Sequence, residues 1–375
     1  MKKIPLVSLI VLFLFGLVAC TGKKETSSVG GGAGPALNIG IVSSSGVDDG
    51  GFTQDCYNGI LAYTKANPDA KVRSIKEPDI GKLIDATAQI VADYDVLVLP
   101  GFQFAVIGPV ALNNPDTKFV LVDATPRDGD GKDVELPNVY AMTFKEQESG
   151  FFAGVAAALE TKTGKVAVVN GIAFPSNVNY QYGFMAGVHY ANKHYGATGA
   201  IVELPSYAGT ASDGTKVGGN YIGAFNDQST GKVVGNMLIA EGVDVIFVAA
   251  GGSGLGVLAA IKEARDVYAI GVDVDQYDEG VNGSANIMLT SALKVMHINV
   301  TRQLEAIRNG TFAGKNELLD ASTGSTDYVK EPGRNQLQSS TLARLAEVAQ
   351  LLEKSEIVPP STFSEGIIPT NFPGL

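Results

Sequence analysis

Cysteine is scarce in this chain of 375 residues, which contains only Cys20 and Cys56. Cys20 ends a leader-like segment, so the body of the protein holds one cysteine. An intramolecular disulfide is therefore excluded there. We expect Cys56 to pack as a small apolar residue.

Histidine is nearly as rare, and the three that are present do not form a metal-binding pattern. His189 and His194 lie five residues apart, and His297 is distant from both. The sequence contains no HExxH, no G-x-S-x-G elbow and no Walker A motif. The glycine turn "AAGGSGLG" (249–256) lacks the full dinucleotide-binding spacing, and fits close backbone approach to a ligand better. These absences favour a protein that is not an enzyme and that carries no metal or cofactor.

Positive charge is also in short supply. The chain has 28 lysines and arginines against 39 aspartates and glutamates, a net charge of −11. Removal of a leader containing Lys2 and Lys3 takes the net charge to −13. An acidic domain is a poor partner for nucleic acid or for anionic lipid surfaces, which bind basic patches.

The N-terminus has the pattern of a secretory signal. Lys2 and Lys3 precede the apolar run "IPLVSLIVLFLFGLVA", which is short for a membrane span and ends at Cys20. "LVAC" (17–20) resembles a bacterial lipobox, in which cleavage leaves a lipid-modified cysteine; an uncleaved anchor and a chance cysteine are the alternatives. We predict a signal peptide at 1–19 and a Gly/Ser-rich tether at 20–36. The soluble body would be held on the extracytoplasmic face of the cell membrane.

The body alternates short apolar runs with amphipathic stretches, a pattern typical of a doubly wound α/β fold. Predicted strands lie at 37–43, 72–76, 95–100, 119–124, 139–144, 165–171, 200–205, 244–250, 267–273 and 287–293. Predicted helices lie at 54–66, 81–92, 148–161, 178–195, 230–241, 254–265, 295–309 and 340–354. The length suits two parallel sheets, built from about 37–142 and 145–288. Ligands bind such folds beyond the carboxyl ends of the strands, in a cleft between the lobes.

Residues at these strand ends suit a flat, polar ligand. Phe52 and Phe225 are aromatic rings in loops that could sandwich a base. Asp49, Asp123 and Asp273 could accept hydrogen bonds, and Lys294 could donate one. Each also has a plain structural interpretation: a phenylalanine near a loop often fills a core, and an aspartate after a strand often caps a helix.

Segments along almost the whole body resemble the basic membrane protein family of substrate-binding lipoproteins, which includes purine nucleoside receptors of ABC importers. The matching segments are "GVDDGGFTQDCYNG" (46–59), "KFVLVDA" (118–124), "NVYAMTFKEQESGFFAGVAAAL" (138–159), "GKVAVVNGI" (164–172), "GFMAGVHYA" (183–191), "GAFNDQSTGK" (223–232), "GVDVIFVAAGGSGLGV" (242–257), "AIGVDVDQ" (269–276) and "LTSALK" (289–294). The resemblance implies the type I periplasmic-binding-protein fold. Its hinge crossings would lie near 142–146, 287–292 and 325–331. Lobe 1 would then comprise 37–143 plus about 290–327, and lobe 2 would comprise 144–289 plus about 328–375.

The resemblance also implies roles for individual residues. A purine would lie between Phe52 and Phe225, with the remaining matched contacts made by Asp123, Asp273, Lys294 and Gly252. Asp49 would touch the ligand or brace its loop. Where the family often has an aspartate, nine residues before the stacking phenylalanine, this chain has Ser43, which brings no charge.

Asn170 stands where the family often has a glycine, and would add a polar contact or accept an unusual backbone angle. The resulting hypothesis is a monomeric, lipid-anchored receptor that delivers purine nucleosides to an ABC permease. Two alternatives remain open: the same fold binding a sugar or another metabolite, and a surface adhesin.

Overall fold

The computed structural model describes residues 34–362 and 366–375. The predicted signal peptide, the lipidation site Cys20 and most of the tether lie outside the described residues. Within the described part of the chain, no helix is both long enough and apolar enough to cross a membrane.

Strands and helices alternate along most of the chain. The strands are β1 (Asn38–Ser43), β2 (Lys71–Lys76), β3 (Val96–Pro100), β4 (Lys118–Val122), β5 (Val139–Phe144), β6 (Lys165–Asn170), β7 (Ala200–Ile201), β8 (Gly209–Thr210), β9 (Lys216–Gly218), β10 (Val245–Ala249), β11 (Tyr268–Asp273), β12 (Val281–Asn282), β13 (Ala285–Asn286), β14 (Met288–Lys294), β15 (Lys315–Leu319) and β16 (Thr326–Tyr328). The helices are α1 (Phe52–Ala66), α2 (Leu83–Ile90), α3 (Gly108–Asn113), α4 (Glu146–Glu160), α5 (Pro175–Tyr195), α6 (Gln228–Ala240), α7 (Gly254–Glu263), α8 (His297–Arg308) and α9 (Ser339–Glu353).

Two six-stranded sheets organise the chain, and we call the body around each sheet a lobe. The sheet of lobe 1 has the order β15-β5-β4-β3-β1-β2, and that of lobe 2 has the order β16-β14-β11-β10-β6-β7. The orders correspond strand for strand, with β1 matching β6 and β4 matching β11. Pairing is parallel except for β16, which runs antiparallel to β14 at one edge. Apolar side chains cover both faces of the central strands, as parallel sheets require.

The chain passes between the lobes three times: from β5 to α4, from β14 to α8, and from β15 to β16. The first passage falls in the expected interval 142–146. The second comes later than 287–292, because β14 pairs with β11 in lobe 2 as far as Leu293 and then with β16 through Lys294. The third comes earlier than expected, since β16 already belongs to lobe 2. The assignment of 290–294 and of Thr326 and Asp327 to lobe 1 was therefore wrong by a few residues.

Glycines bring α4 and α5 together in lobe 2. A Cβ on Gly154 would lie 2.1 Å from the carbonyl oxygen of Phe184, and one on Gly187 would lie 2.3 Å from that of Phe151. α5 begins with Pro175 and ends at Gly196, which has φ of 71°, so its ends follow the usual preference for proline at the start and glycine after the end. The pair places the first turns of both helices beside the sheet edge that faces lobe 1.

Candidate functional site

The carboxyl ends of both sheets line a cavity of about 630 Å³, including its open mouth. Seven of the nine ligand-binding residues predicted from the sequence line it: Ser43, Asp49, Phe52, Asp123, Phe225, Asp273 and Lys294. Gly252 does not line the cavity, although its neighbour Gly251 does. Asn170 does not line it either; its Oδ1 lies 3.4 Å from Nδ2 of Asn177, which does.

Asp123 and Asp273 occupy corresponding positions in the two lobes, directly after β4 and at the end of β11. Both have left-handed backbones, with φ of 63° and 67°. Few residues other than glycine adopt this conformation, and it is a recurrent feature of functional sites. Both side chains are buried at the floor of the cavity. The two lobes thus contribute one carboxylate each to the same point.

Lys294 supplies the positive charge between these carboxylates. Its Nζ atom lies 2.6 Å from Asp123 Oδ2, 3.7 Å from Asp273 Oδ1 and 3.8 Å from Glu146 Oε1. Only 1% of the residue is exposed. Burial alone would lower the pKa of Lys294, but the carboxylates outweigh it and raise the pKa. The lysine therefore stays charged.

Three carboxylates around one ammonium group leave an excess of negative charge, and two of the three carboxylates have raised pKa values. Burial, opposed by Lys294, raises the pKa of Asp273 to about 6. Burial and the proximity of Asp123 raise the pKa of Glu146 to about 8. Glu146 accepts a hydrogen bond from Asn179 at 3.0 Å, and Asp273 accepts one from the Tyr180 hydroxyl at 2.8 Å. Glu146 and Tyr180 were missed by the sequence reasoning.

Aromatic rings enter the cavity from both lobes. The ring of Phe52, at the start of α1, is 4.6 Å from Lys294 Nζ, which is within cation–π distance. Phe225 packs against Gly171, where a Cβ would come within 2.2 Å of its ring. Phe174 lies 6.0 Å from Phe225 and 5.3 Å from Phe102, measured between ring centres. The site thus has four phenylalanine rings and the ring of Tyr180, rather than the two rings predicted.

Asp49 shapes the loop that carries Phe52. Its carboxylate accepts hydrogen bonds from the backbone N–H groups of Gly51, Thr53 and Gln54 at 3.0 to 3.2 Å. A carboxylate at the start of a helix satisfies donors that the helix leaves unpaired and interacts favourably with its dipole. Of the two roles left open for Asp49, bracing the loop is the one these contacts display.

Ser43 closes the turn just before that loop. Its Oγ accepts a hydrogen bond from the Gly46 N–H at 3.0 Å and lies 3.2 Å from the Gly46 carbonyl oxygen, to which it donates. The hydroxyl is therefore committed to local backbone, although the residue lines the cavity.

Known proteins give this arrangement a context. The sequence profile of the ABC transporter substrate-binding protein PnrA-like family matches residues 36–202 and 207–354. The chain belongs to this family. The nucleoside-binding protein BmpA of Lactococcus lactis is 28% identical over 331 residues, covering 84% of this chain and 87% of that protein. Basic membrane protein A of Borreliella burgdorferi is 30% identical over 280 residues, covering 74% and 72% of the two chains.

A solved structure supports the fold. The solute-binding protein of an Aeropyrum pernix ABC transporter system superposes with a TM-score of 0.73 at 21% identity, covering 88% of this chain and 95% of that one. The predicted family and the predicted type I α/β fold are both confirmed. This member of the PnrA-like family is accordingly an ABC transporter substrate-binding protein with two lobes.

A direct hydrogen bond between Gln276 and Gly50 joins the lobes of this PnrA-like protein. Gln276 of lobe 2 donates from Nε2 to the carbonyl oxygen of Gly50 in lobe 1, at 2.9 Å. Its Oε1 accepts from the Val272 N–H at 2.9 Å, so the side chain is held at both ends. Gln276 is the last residue of the segment "GVDVDQ", and the resemblance implies no role for this glutamine.

Proposed function

We propose that the protein is the substrate-binding component of an ABC importer for purine nucleosides and that it binds them in the interlobe cavity. The observation that carries the proposal is the combination of aromatic rings from both lobes with the buried Lys294 cluster below them. A purine base needs flat apolar surfaces, and a ribose needs hydrogen-bonding groups close by. One cavity offers both.

The base would stack on Phe52 of lobe 1 and Phe225 of lobe 2. Stacking of a base on an aromatic side chain contributes about 1–3 kcal/mol. Because the two rings come from different lobes, a base between them would also favour the closed arrangement of the lobes. Phe102 and Phe174 extend the apolar wall beside Phe225.

The ribose would lie against the Lys294 cluster. Asp123 Oδ1 is buried and has no hydrogen-bond partner among the described residues, whereas Oδ2 is bonded to Lys294. A buried acceptor of this kind favours a ligand that brings a donor, such as a hydroxyl group. Lys294 would donate to a hydroxyl oxygen in turn, and Asp273 would accept from a hydroxyl or a base N–H.

Ser43 would make base recognition weaker or different from that of relatives with an aspartate at this place. Its hydroxyl already bonds to Gly46, and it carries no charge. We infer that a base N–H next to Ser43 would lack the charged acceptor that an aspartate provides, since charge-assisted hydrogen bonds are about twice as strong as neutral ones.

Delivery to a permease and anchoring complete the proposal. The mature chain would begin at a lipid-modified Cys20 and would be tethered to the extracytoplasmic face of the cell membrane. Catalysis forms no part of the proposed function, which requires only binding and release.

Calorimetric titration tests the ligand class. The domain, without its lipid, should be unfolded and refolded to remove ligand that co-purifies, then titrated with inosine, guanosine, adenosine, cytidine and ribose. We expect purine nucleosides to bind and ribose alone to fail. Phe225→Ala should weaken binding about 5- to 150-fold through lost stacking, while the exposed Val106→Ala serves as the control. Binding of ribose alone would contradict the proposal.

A further inference from the structure

A second cavity, of about 1,200 Å³ including the open solvent at its mouth, lies beside the first on the side of the hinge. Residues of the first passage between the lobes, Thr143 to Gln147, form part of its wall. Phe102, Asp123 and Ser176 line both cavities. We call this space the hinge-side cavity. The two spaces share these wall residues and are therefore adjacent.

Two residues that line the hinge-side cavity carry unsatisfied hydrogen-bond acceptors. Gln147 Oε1 and Asp123 Oδ1 are buried and have no partner among the described residues, and each residue is only 8% exposed. Buried polar atoms in native proteins almost always have a partner. Because a ribose hydroxyl would satisfy Asp123 Oδ1, Gln147 Oε1 is the acceptor that points to a further hydrogen-bond donor on the ligand.

The cations that line the hinge-side cavity are already engaged. Arg127 Nε is 3.0 Å from Asp133 Oδ1, and Lys145 Nζ is 2.7 Å from Asp320 Oδ2. Asp123 and Glu146 add carboxyl groups to the same wall. A phosphate would meet cations that already have carboxylate partners, with the Asp123 carboxylate beside them, so the cavity fits an uncharged donor group better than an anionic one.

We infer that the hinge-side cavity is a subsite for a hydroxyl-bearing substituent on the sugar of the bound nucleoside. The inference rests on the proposed function and adds to it a substrate class: purine nucleosides extended at the 5′ carbon by a neutral group. With its 2′ and 3′ hydroxyls on the Lys294 cluster, the ribose would place its 5′ carbon where a substituent passes Asp123. The same cavity disfavours nucleotides.

Matched ligands test the subsite in the refolded protein. Calorimetric titrations would compare adenosine, 5′-S-ethyl-5′-thioadenosine, 5′-S-(2-hydroxyethyl)-5′-thioadenosine and adenosine 5′-monophosphate. We expect the hydroxyethyl compound to bind about three- to tenfold more tightly than the ethyl compound, since its hydroxyl would reach Gln147. The monophosphate should bind more weakly than adenosine.

Two variants assign the effect to Gln147. Gln147→Leu removes the acceptor at similar volume and should abolish the preference for the hydroxyethyl compound, with adenosine binding retained. Gln147→Glu keeps an acceptor and should keep the preference; circular dichroism would verify that both variants fold.

Equal affinities for the ethyl and hydroxyethyl compounds, or a preference that survives Gln147→Leu, would overturn this inference alone. Tighter binding of N6-substituted adenosines, without a gain from 5′ substituents, would overturn the sugar-side assignment. Failure of adenosine and all its derivatives to bind would overturn the proposed function and this subsite together.

Discussion

Replacing Lys294 by methionine should destabilise the fold strongly. Lys294 Nζ neutralises Asp123 at 2.6 Å and lies within 4 Å of Asp273 and Glu146, all of them buried. Removal of one partner from a buried ion pair costs about 3–5 kcal/mol, because the remaining charge has lost its counter-charge in a low-dielectric environment. We expect a loss of this size in the free energy of unfolding at pH 8.5.

The loss of stability caused by Lys294→Met should be smaller at acidic pH, because the pKa values of Asp273 and Glu146 are raised. Asp273, with its pKa raised to about 6, and Glu146, with its pKa raised to about 8, bind protons more tightly in the folded than in the unfolded state. The raised pKa values of these two groups therefore favour folding fully below about pH 4, which is close to their pKa in the unfolded chain. This contribution to stability is lost as the pH rises through about 6 to 8. At pH 5 both groups are largely protonated when folded, so Lys294 balances mainly Asp123. The Lys294→Met effect should fall to about half there.

Urea unfolding followed by far-UV circular dichroism and tyrosine fluorescence would measure both values. The chain has 13 tyrosines and no tryptophan. Lys232→Met is the matched control, because Lys232 forms an exposed pair with Glu263 at 2.7 Å. Its effect should be below about 1 kcal/mol and should not depend on pH in this range. A Lys294→Met effect as small as the control, or equal at both pH values, would refute the electrostatic account of the cluster.

Further predictions concern closure, packing and the loop of Phe52. Gln276→Leu removes the donor to Gly50 and should weaken nucleoside binding by about three- to tenfold in calorimetry; an unchanged Kd would mean that this interlobe bond contributes nothing to closure. Gly154→Ala should lower the free energy of unfolding by about 1–3 kcal/mol, since its Cβ would lie 2.1 Å from the Phe184 carbonyl oxygen. Gly129→Ala, with nothing within 4 Å, should be near neutral in the same urea series, and equal effects would contradict the packing argument. Asp49→Ala should cost about 0.5–2 kcal/mol in thermal or urea unfolding through the lost helix cap, and an increase in stability would contradict the bracing role.

The strand pattern and the composite nature of the site were predictable from the sequence. All ten predicted strands are present, although β7 covers only Ala200–Ile201 of the predicted 200–205. The central strands were predictable because buried parallel strands are continuous apolar runs. The edge strands β15 and β16 were not predicted, since "KNELL" and "TDY" are short and polar. The helix α3 was missed for a similar reason: it is only six residues long.

The missed site residues were hidden for physical reasons. Glu146 begins a helix, where an acidic residue ordinarily complements the helix dipole, and only the tertiary fold brings it within 3.8 Å of Lys294. Phe174 lies between β6 and α5, and Phe52 follows the loop after β1. Because β6 and β1 occupy corresponding positions in the two sheets, this correspondence was a signal that could have identified Phe174. Tyr180 lies within a helix rather than at a strand end, and nothing in its local sequence distinguishes it from a core residue.

The most direct test of the central claim is the crystal structure of the refolded domain with guanosine. The account predicts a purine between Phe52 and Phe225, with a ribose hydroxyl within hydrogen-bond distance of Asp123 Oδ1. Guanosine bound elsewhere, or in the cavity with its base away from both rings, would contradict it.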